Sequence, residues 1–100
     1  MAETIYISGP ITNDPQYIPK FKAAKEKLSA QGFEVLSPAE IISPDPYRTW
    51  EDYMAQAIFI MLQADRVYML NNWKRSTGAR LEHELAILLG KLTMYQEYEA

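Results

Sequence analysis

The sequence predicts a small α/β domain built on a doubly wound parallel sheet, with about four strands in the order 2-1-3-4 and three helices. Short runs of β-branched and aromatic residues alternate along the chain with runs whose apolar residues recur at helical spacing. An apolar run, Val67-Tyr68-Met69-Leu70, feeds a polar loop that opens directly into a helical run, the arrangement that builds anion and sugar sites in open parallel sheets. With 100 residues, 48% of them apolar, residues 1–100 form one domain with a single core.

Thr4-Ile5-Tyr6-Ile7-Ser8, stopped by Gly9-Pro10, is the first strand. The loop from Ile11 to Gln16 carries the turn residues Asn13-Asp14-Pro15 and is placed to line a crevice. Pro19 suits a first helical turn, Phe21, Ala24 and Leu28 form its buried stripe, and Gly32 stops the helix. Its lysines, Lys20, Lys22, Lys25 and Lys27, read as a solvated face. Phe33-Glu34-Val35-Leu36 is the second strand, closed by Ser37-Pro38. A loop containing Pro38, Pro44 and Pro46 follows, longer than a bare connection requires. Thr49-Trp50-Glu51-Asp52 has the form of a capping box, and Trp50, Tyr53, Met54, Ala57, Ile60 and Met61 share the core-facing side of the helix it starts. Asp65 to Leu70 is the third strand and Lys91 to Tyr95 the fourth.

Right-handed crossovers between parallel strands give a flavodoxin- or Rossmann-like order, in which the chain turns opposite ways from the first and third strands. A crevice then opens between their carboxyl ends, where Gly9-Pro10 meets the segment from Trp73 to Glu82. Beyond the fourth strand only Gln96 to Ala100 remain, too few for a covering helix, so that side of the sheet is expected to pack on another copy in a homodimer or higher homo-oligomer.

Glu82 is the odd residue of the third helix. Ala79, Leu81, Leu85, Ala86, Leu88 and Leu89 fall on one arc at about 100° per residue, and Glu82 lies inside that arc. A carboxylate there needs a cation or a cavity. It either leans past the sheet edge to water or pairs with Arg80 or Lys74, or it is a catalytic carboxylate in a cleft.

Composition narrows the partners. No run approaches the roughly 18 apolar residues of a membrane span, and Met1-Ala2-Glu3-Thr4 lacks the basic start of a signal peptide, so a cytoplasmic protein is expected. The absence of cysteine excludes disulfides, thiolate metal sites and cysteine nucleophiles, and the lone His83 excludes a multi-histidine metal site. A net charge of -3 without a basic stripe argues against a nucleic-acid polymer and in favour of a small molecule.

The segments Ile5-Tyr6-Ile7-Ser8-Gly9-Pro10 and Ser76-Thr77-Gly78-Ala79-Arg80-Leu81-Glu82, in this order and spacing, make nearly the whole chain resemble the nucleoside 2-deoxyribosyltransferase-like superfamily, above all its short bacterial and phage members and the 2'-deoxynucleoside 5'-phosphate N-hydrolases. The resemblance implies an N-glycoside hydrolase or 2-deoxyribosyltransferase, active on a nucleoside or nucleotide without metal or redox cofactor. Glu82 matches the family's nucleophile, which attacks the anomeric carbon and forms a glycosyl-enzyme intermediate. Ser76 matches the serine that binds the 5'-phosphate in the hydrolases, and its residue type equally suits a plain helix cap. Tyr6 and Gly9 match residues lining the sugar and base pocket, with Pro10 beside them. Backbone N–H groups around Thr77 and Gly78 are placed to hold phosphate or a sugar hydroxyl, and Trp73 or Tyr6 to stack on the base.

Two positions depart from the pattern. The acid that the family carries on the second helix is replaced by Ala57, with Asp52 or Asp45 as unmatched substitutes, and Thr12 stands near the basic residue of the hydrolases' first loop, leaving Lys74 and Arg75 as the nearest cations. Two further functions therefore stand beside the enzyme: a nucleotide-binding module that has lost turnover, and an interaction protein using the fold as a scaffold.

Overall fold

The computed structural model describes residues 2–97. Four parallel strands, β1 (Thr4–Ser8), β2 (Glu34–Leu36), β3 (Arg66–Met69) and β4 (Leu92–Tyr95), form one sheet in the order β2-β1-β3-β4, as expected from the alternation of elements. β1 is central, with Tyr6 in register with Leu36 on one side and Val67 on the other. The helices are α1 (Tyr17–Ala30), α2 (Pro38–Ile41), α3 (Trp50–Leu62) and α4 (Thr77–Leu88).

Because side chains alternate across a strand, β1 and β3 feed two cores. Ile5, Ile7, Tyr68 and Leu70 pack on Phe21, Ala24 and Leu28 of α1. Tyr6, Val67 and Met69 face the opposite way, onto Ala57, Ile60 and Met61 of α3 and Ala79 and Ala86 of α4. Among the described residues no helix is long and apolar enough to cross a membrane.

Two expectations need correction, and one feature extends the sheet. The long proline-containing loop holds a one-turn helix, α2, started by Pro38 at a position where its fixed φ suits the first helical turn. The buried line of α4 runs through Gly78, Ala79, Glu82 and Ala86, while Leu81, Leu88 and Leu89 are exposed, Leu88 by 74%. Small residues let α4 lie close on the sheet, which rolls the leucines outward. Finally, the chain continues beside β3 past β4: Gln96 N–H donates to the Met69 carbonyl at 2.8 Å and the Asn71 N–H donates to Gln96 Oε1 at 2.9 Å. Tyr98 to Ala100 of the expected uncovered tail lie outside the described residues.

Candidate active site

The capping box at Thr49 forms as expected, Thr49 Oγ1 accepting from the Asp52 N–H at 3.0 Å and Asp52 accepting from the Thr49 N–H. It starts α3 beyond the carboxyl edge of the sheet, so the first turn of α3 walls a crevice rather than the core. α4 starts on the facing side, capped by Ser76, whose Oγ accepts from the Ala79 N–H at 3.1 Å. Two glycines let the walls close in. A β-carbon on Gly78 would stand 2.9 Å from Met54 Sδ, and one on Gly9 would stand 2.6 Å from a methyl carbon of Leu70.

Glu82, 4% exposed, lies at the bottom of this crevice. Tyr6 and Ser8, two residues apart on β1, project on the same face and meet its two oxygens: Tyr6 Oη donates to Oε2 at 2.6 Å and Ser8 Oγ donates to Oε1 at 2.7 Å. Among the described residues no lysine or arginine pairs with it. Lys74 lies over the Trp73 ring and Arg80 reaches Thr77, so the surface ion pair anticipated as one alternative does not form. Burial pushes the Glu82 carboxyl above its ordinary value of 4.5, and the Tyr6 and Ser8 hydroxyls pull it partly back. Burial and then the neighbouring carboxylate raise the Tyr6 hydroxyl well above 10.0, so Tyr6 remains a donor. Each Glu82 oxygen accepts one bond and keeps a lone pair.

The crevice has two compartments. A cavity of about 20 Å³ holds Glu82, Tyr6, Gly9, Tyr53 and Ser76 in its walls. An outer cavity of about 440 Å³ is lined by the first loop and the start of α4, including Pro10, Asp14, Lys20, Arg75, Ser76 and Gly78. Asp14 accepts from Lys20 Nζ at 2.8 Å and from Asn72 Nδ2 at 3.2 Å, and these bonds and the Gln16 N–H, with Lys20 foremost, hold its carboxyl below the ordinary value.

The structure thus brings together Tyr6, Gly9, Pro10, Ser76, Gly78 and Glu82, but not Trp73. Residues 73–75 form a 3-10 turn, from which Arg75 reaches both the outer cavity and a second depression beside it, while Trp73 reaches only the second. Trp73 stacks on His83 with ring centroids 4.2 Å apart and lines that second depression with Tyr95. Lys74 lines that depression too. Ala57, 1% exposed, belongs to the core. Neither carboxylate suggested in its place lines the crevice: Asp52 is held in the cap, and Asp45 accepts from the Tyr47 N–H at 2.9 Å.

Sequence reasoning missed Ser8, although its spacing of two from Tyr6 on a strand was a usable signal. Trp50 and Tyr53 were assigned to the core arc of their helix, and both line the crevice. Lys20, read as part of a solvated face, faces the outer cavity.

The family model described as "Domain of unknown function (DUF4406)" matches residues 3–95. The chain belongs to this family. A 2-deoxyribosyltransferase from the psychrotolerant bacterium Bacillus psychrosaccharolyticus, described as a biocatalyst for nucleoside synthesis, superposes with a TM-score of 0.72 at 22% identity, over 97% of this chain and 77% of that one. At that identity the likeness establishes a shared fold, the one the sequence resemblance led us to expect. No curated protein matches the chain in sequence.

Proposed function

We propose that this DUF4406 chain cleaves or transfers the N-glycosidic bond of a 2-deoxynucleoside or its 5'-monophosphate, with Glu82 as the nucleophile. The observation that carries the reading is a carboxylate buried without a cation at the floor of a crevice, both oxygens held by hydroxyls from the central strand. A structural carboxylate would gain more from an ion pair, whereas a nucleophile needs orientation together with a free lone pair. The fold shared with a 2-deoxyribosyltransferase adds support.

In the first step a Glu82 oxygen bonds to the anomeric carbon as the carbon–nitrogen bond breaks, and the electron pair leaves with the base. In the second step, water or an N–H nitrogen of another base attacks the same carbon and gives up its proton, the ester bond to Glu82 breaks, and the carboxylate is restored; this proton balances the one the departed base takes up from solvent. Tyr6 and Ser8 hold the carboxylate in place through both steps. Lys20, Arg75, Ser76 and the amino end of α4 give the outer cavity the chemistry to receive a 5'-phosphate.

The packing of Ala57 into the core favours a second reading, a nucleotide-binding module without turnover. Incubation with a panel of deoxynucleosides and their monophosphates separates the two. The enzyme releases free base and Glu82→Gln reduces release by about 1000-fold or more, because the amide nearly preserves shape but is a poor nucleophile. Ligand binding without base release selects the module, and undiminished release by Glu82→Gln excludes Glu82 as nucleophile.

We also infer a homo-oligomer. Leu88 and Leu89 at the end of α4 and Leu92 and Tyr95 on the edge strand β4 are exposed near one another in the chain, an apolar margin suited to a second copy. A monomer in sedimentation at micromolar concentration would remove this inference.

A further inference from the structure

The inner compartment contains a polar group that the nucleophile's geometry leaves unused. Tyr53 sits one turn into α3 and lines the cavity above Glu82. Its hydroxyl is buried and, among the described residues, makes no hydrogen bond, whereas the Tyr6 hydroxyl is bonded to Glu82. Buried hydroxyls are normally paired, so an unpaired one in the wall of a cavity marks a place where a ligand atom completes the bonding. Burial, followed by the nearby Glu82 carboxylate, raises the Tyr53 hydroxyl far above its ordinary range, which keeps it protonated and able to donate.

The size of the compartment restricts what it can take. At about 20 Å³ against about 440 Å³ for the outer cavity, with which it shares Trp50, Ser76 and Gly78, the inner compartment is the narrow end of the crevice and suits the sugar edge better than the bulkier base. In a β-configured 2-deoxynucleoside the base and the 5'-carbon lie on one face of the sugar and the 3'-hydroxyl lies on the other. A nucleophile that displaces the base approaches from the face opposite to it, which is the face carrying the 3'-hydroxyl. With Glu82 in the same compartment, the 3'-hydroxyl is the ligand oxygen that arrives beside it.

We propose that the inner cavity is a 3'-hydroxyl subsite and that Tyr53 Oη donates a hydrogen bond to the 3'-oxygen of the sugar. This rests on the glycosidic reading of the site and gives α3 a part in it without an acid at Ala57. Tyr53 then selects sugars carrying a 3'-hydroxyl and sets the ring over Glu82, while the base lies outside the inner compartment.

The test uses Glu82→Gln, which blocks turnover, with and without Tyr53→Phe. Calorimetry measures binding of a 2'-deoxynucleoside 5'-monophosphate and of its 2',3'-dideoxy counterpart. With Tyr53 present the 3'-hydroxyl strengthens binding about tenfold, and Tyr53→Phe removes that advantage while leaving the dideoxy ligand unaffected. Retention of the advantage in Tyr53→Phe, or an equal loss for both ligands, overturns the assignment. Tyr53→Phe in the otherwise unaltered chain keeps its melting temperature, because the hydroxyl has no protein partner to lose; a clear fall makes it part of the fold and overturns the proposal as well. If the unaltered chain neither binds these ligands nor releases base from any member of the panel, the glycosidic reading falls and this subsite with it. Binding without 3'-discrimination removes the subsite alone.

Discussion

The two compartments of the crevice each hold a carboxylate, and their surroundings act on them in opposite directions. Asp14, in the outer cavity, is paired with Lys20 and bonded by Asn72 and the Gln16 N–H, so its charge is compensated and its carboxyl stays below the ordinary range. Glu82, in the inner cavity, has two hydroxyls and, among the described residues, no cation, and its carboxyl is raised. A compensated carboxylate is quiet: it fixes the first loop against the segment before α4. An oriented one without a cation is what the proposed role as nucleophile requires. The contrast sets a paired carboxylate beside an unpaired one within one crevice.

Placing a third carboxylate between core and crevice breaks this separation most severely. Ala57→Asp is expected to destabilise the chain by about 3 kcal/mol, because Ala57 is surrounded by Ile60, Met61 and Val67 with no cation to pair. The measurement is melting temperature together with base release. A stable variant with increased release would show instead that the site accepts a restored acid.

A smaller effect follows from the Glu82 shift. A carboxyl raised in the folded state binds its proton more tightly there than in the unfolded chain, so stability falls as pH rises from the ordinary value of 4.5 through the folded value. Glu82→Gln has no such penalty. Its melting temperature relative to the unaltered chain should climb across that window and then level off. A difference that shrinks with rising pH would mean that the hydroxyls outweigh burial and lower the carboxyl.

The smallest expected effect is at the boundary of the compartments. Ser76→Ala removes the α4 cap and should cost about 1 kcal/mol of stability. If Ser76 also meets phosphate, the variant weakens monophosphate binding more than nucleoside binding. Equal weakening leaves the cap as its whole role.

Most of the fold was legible because the strands are short runs, β1 rich in β-branched residues, and each long helix carries a regular apolar stripe. The stripe of α1, Phe21, Ala24 and Leu28, is buried as its spacing indicated. α2 was hidden because a single turn among prolines has no period to detect. For α4 the periodicity identified the helix, but hydrophobicity misplaced its inner face: Ala79, Glu82 and Ala86 are buried while Leu81 and Leu88 are exposed. Glu82 was legible as a polar residue beside that stripe. Trp73 misled because a loop drawn from sequence has no handedness, and the 3-10 turn determines which of its residues reach the crevice. Tyr53 packs on the core as its place on the helical wheel indicated, but a wheel does not show where a helix passes the end of a sheet, so the part that Tyr53 and Trp50 take in the crevice wall was hidden.

The bonds from Tyr6 and Ser8 to Glu82 span 76 and 74 positions of the chain. Contacts of such separation close a large loop and carry an entropic cost that local contacts do not. During synthesis β1 emerges long before α4, so the two hydroxyls wait for their acceptor until β3 and α4 have both followed. Docking of α4 on the central strand is therefore the contact that brings Glu82 under its two hydroxyls.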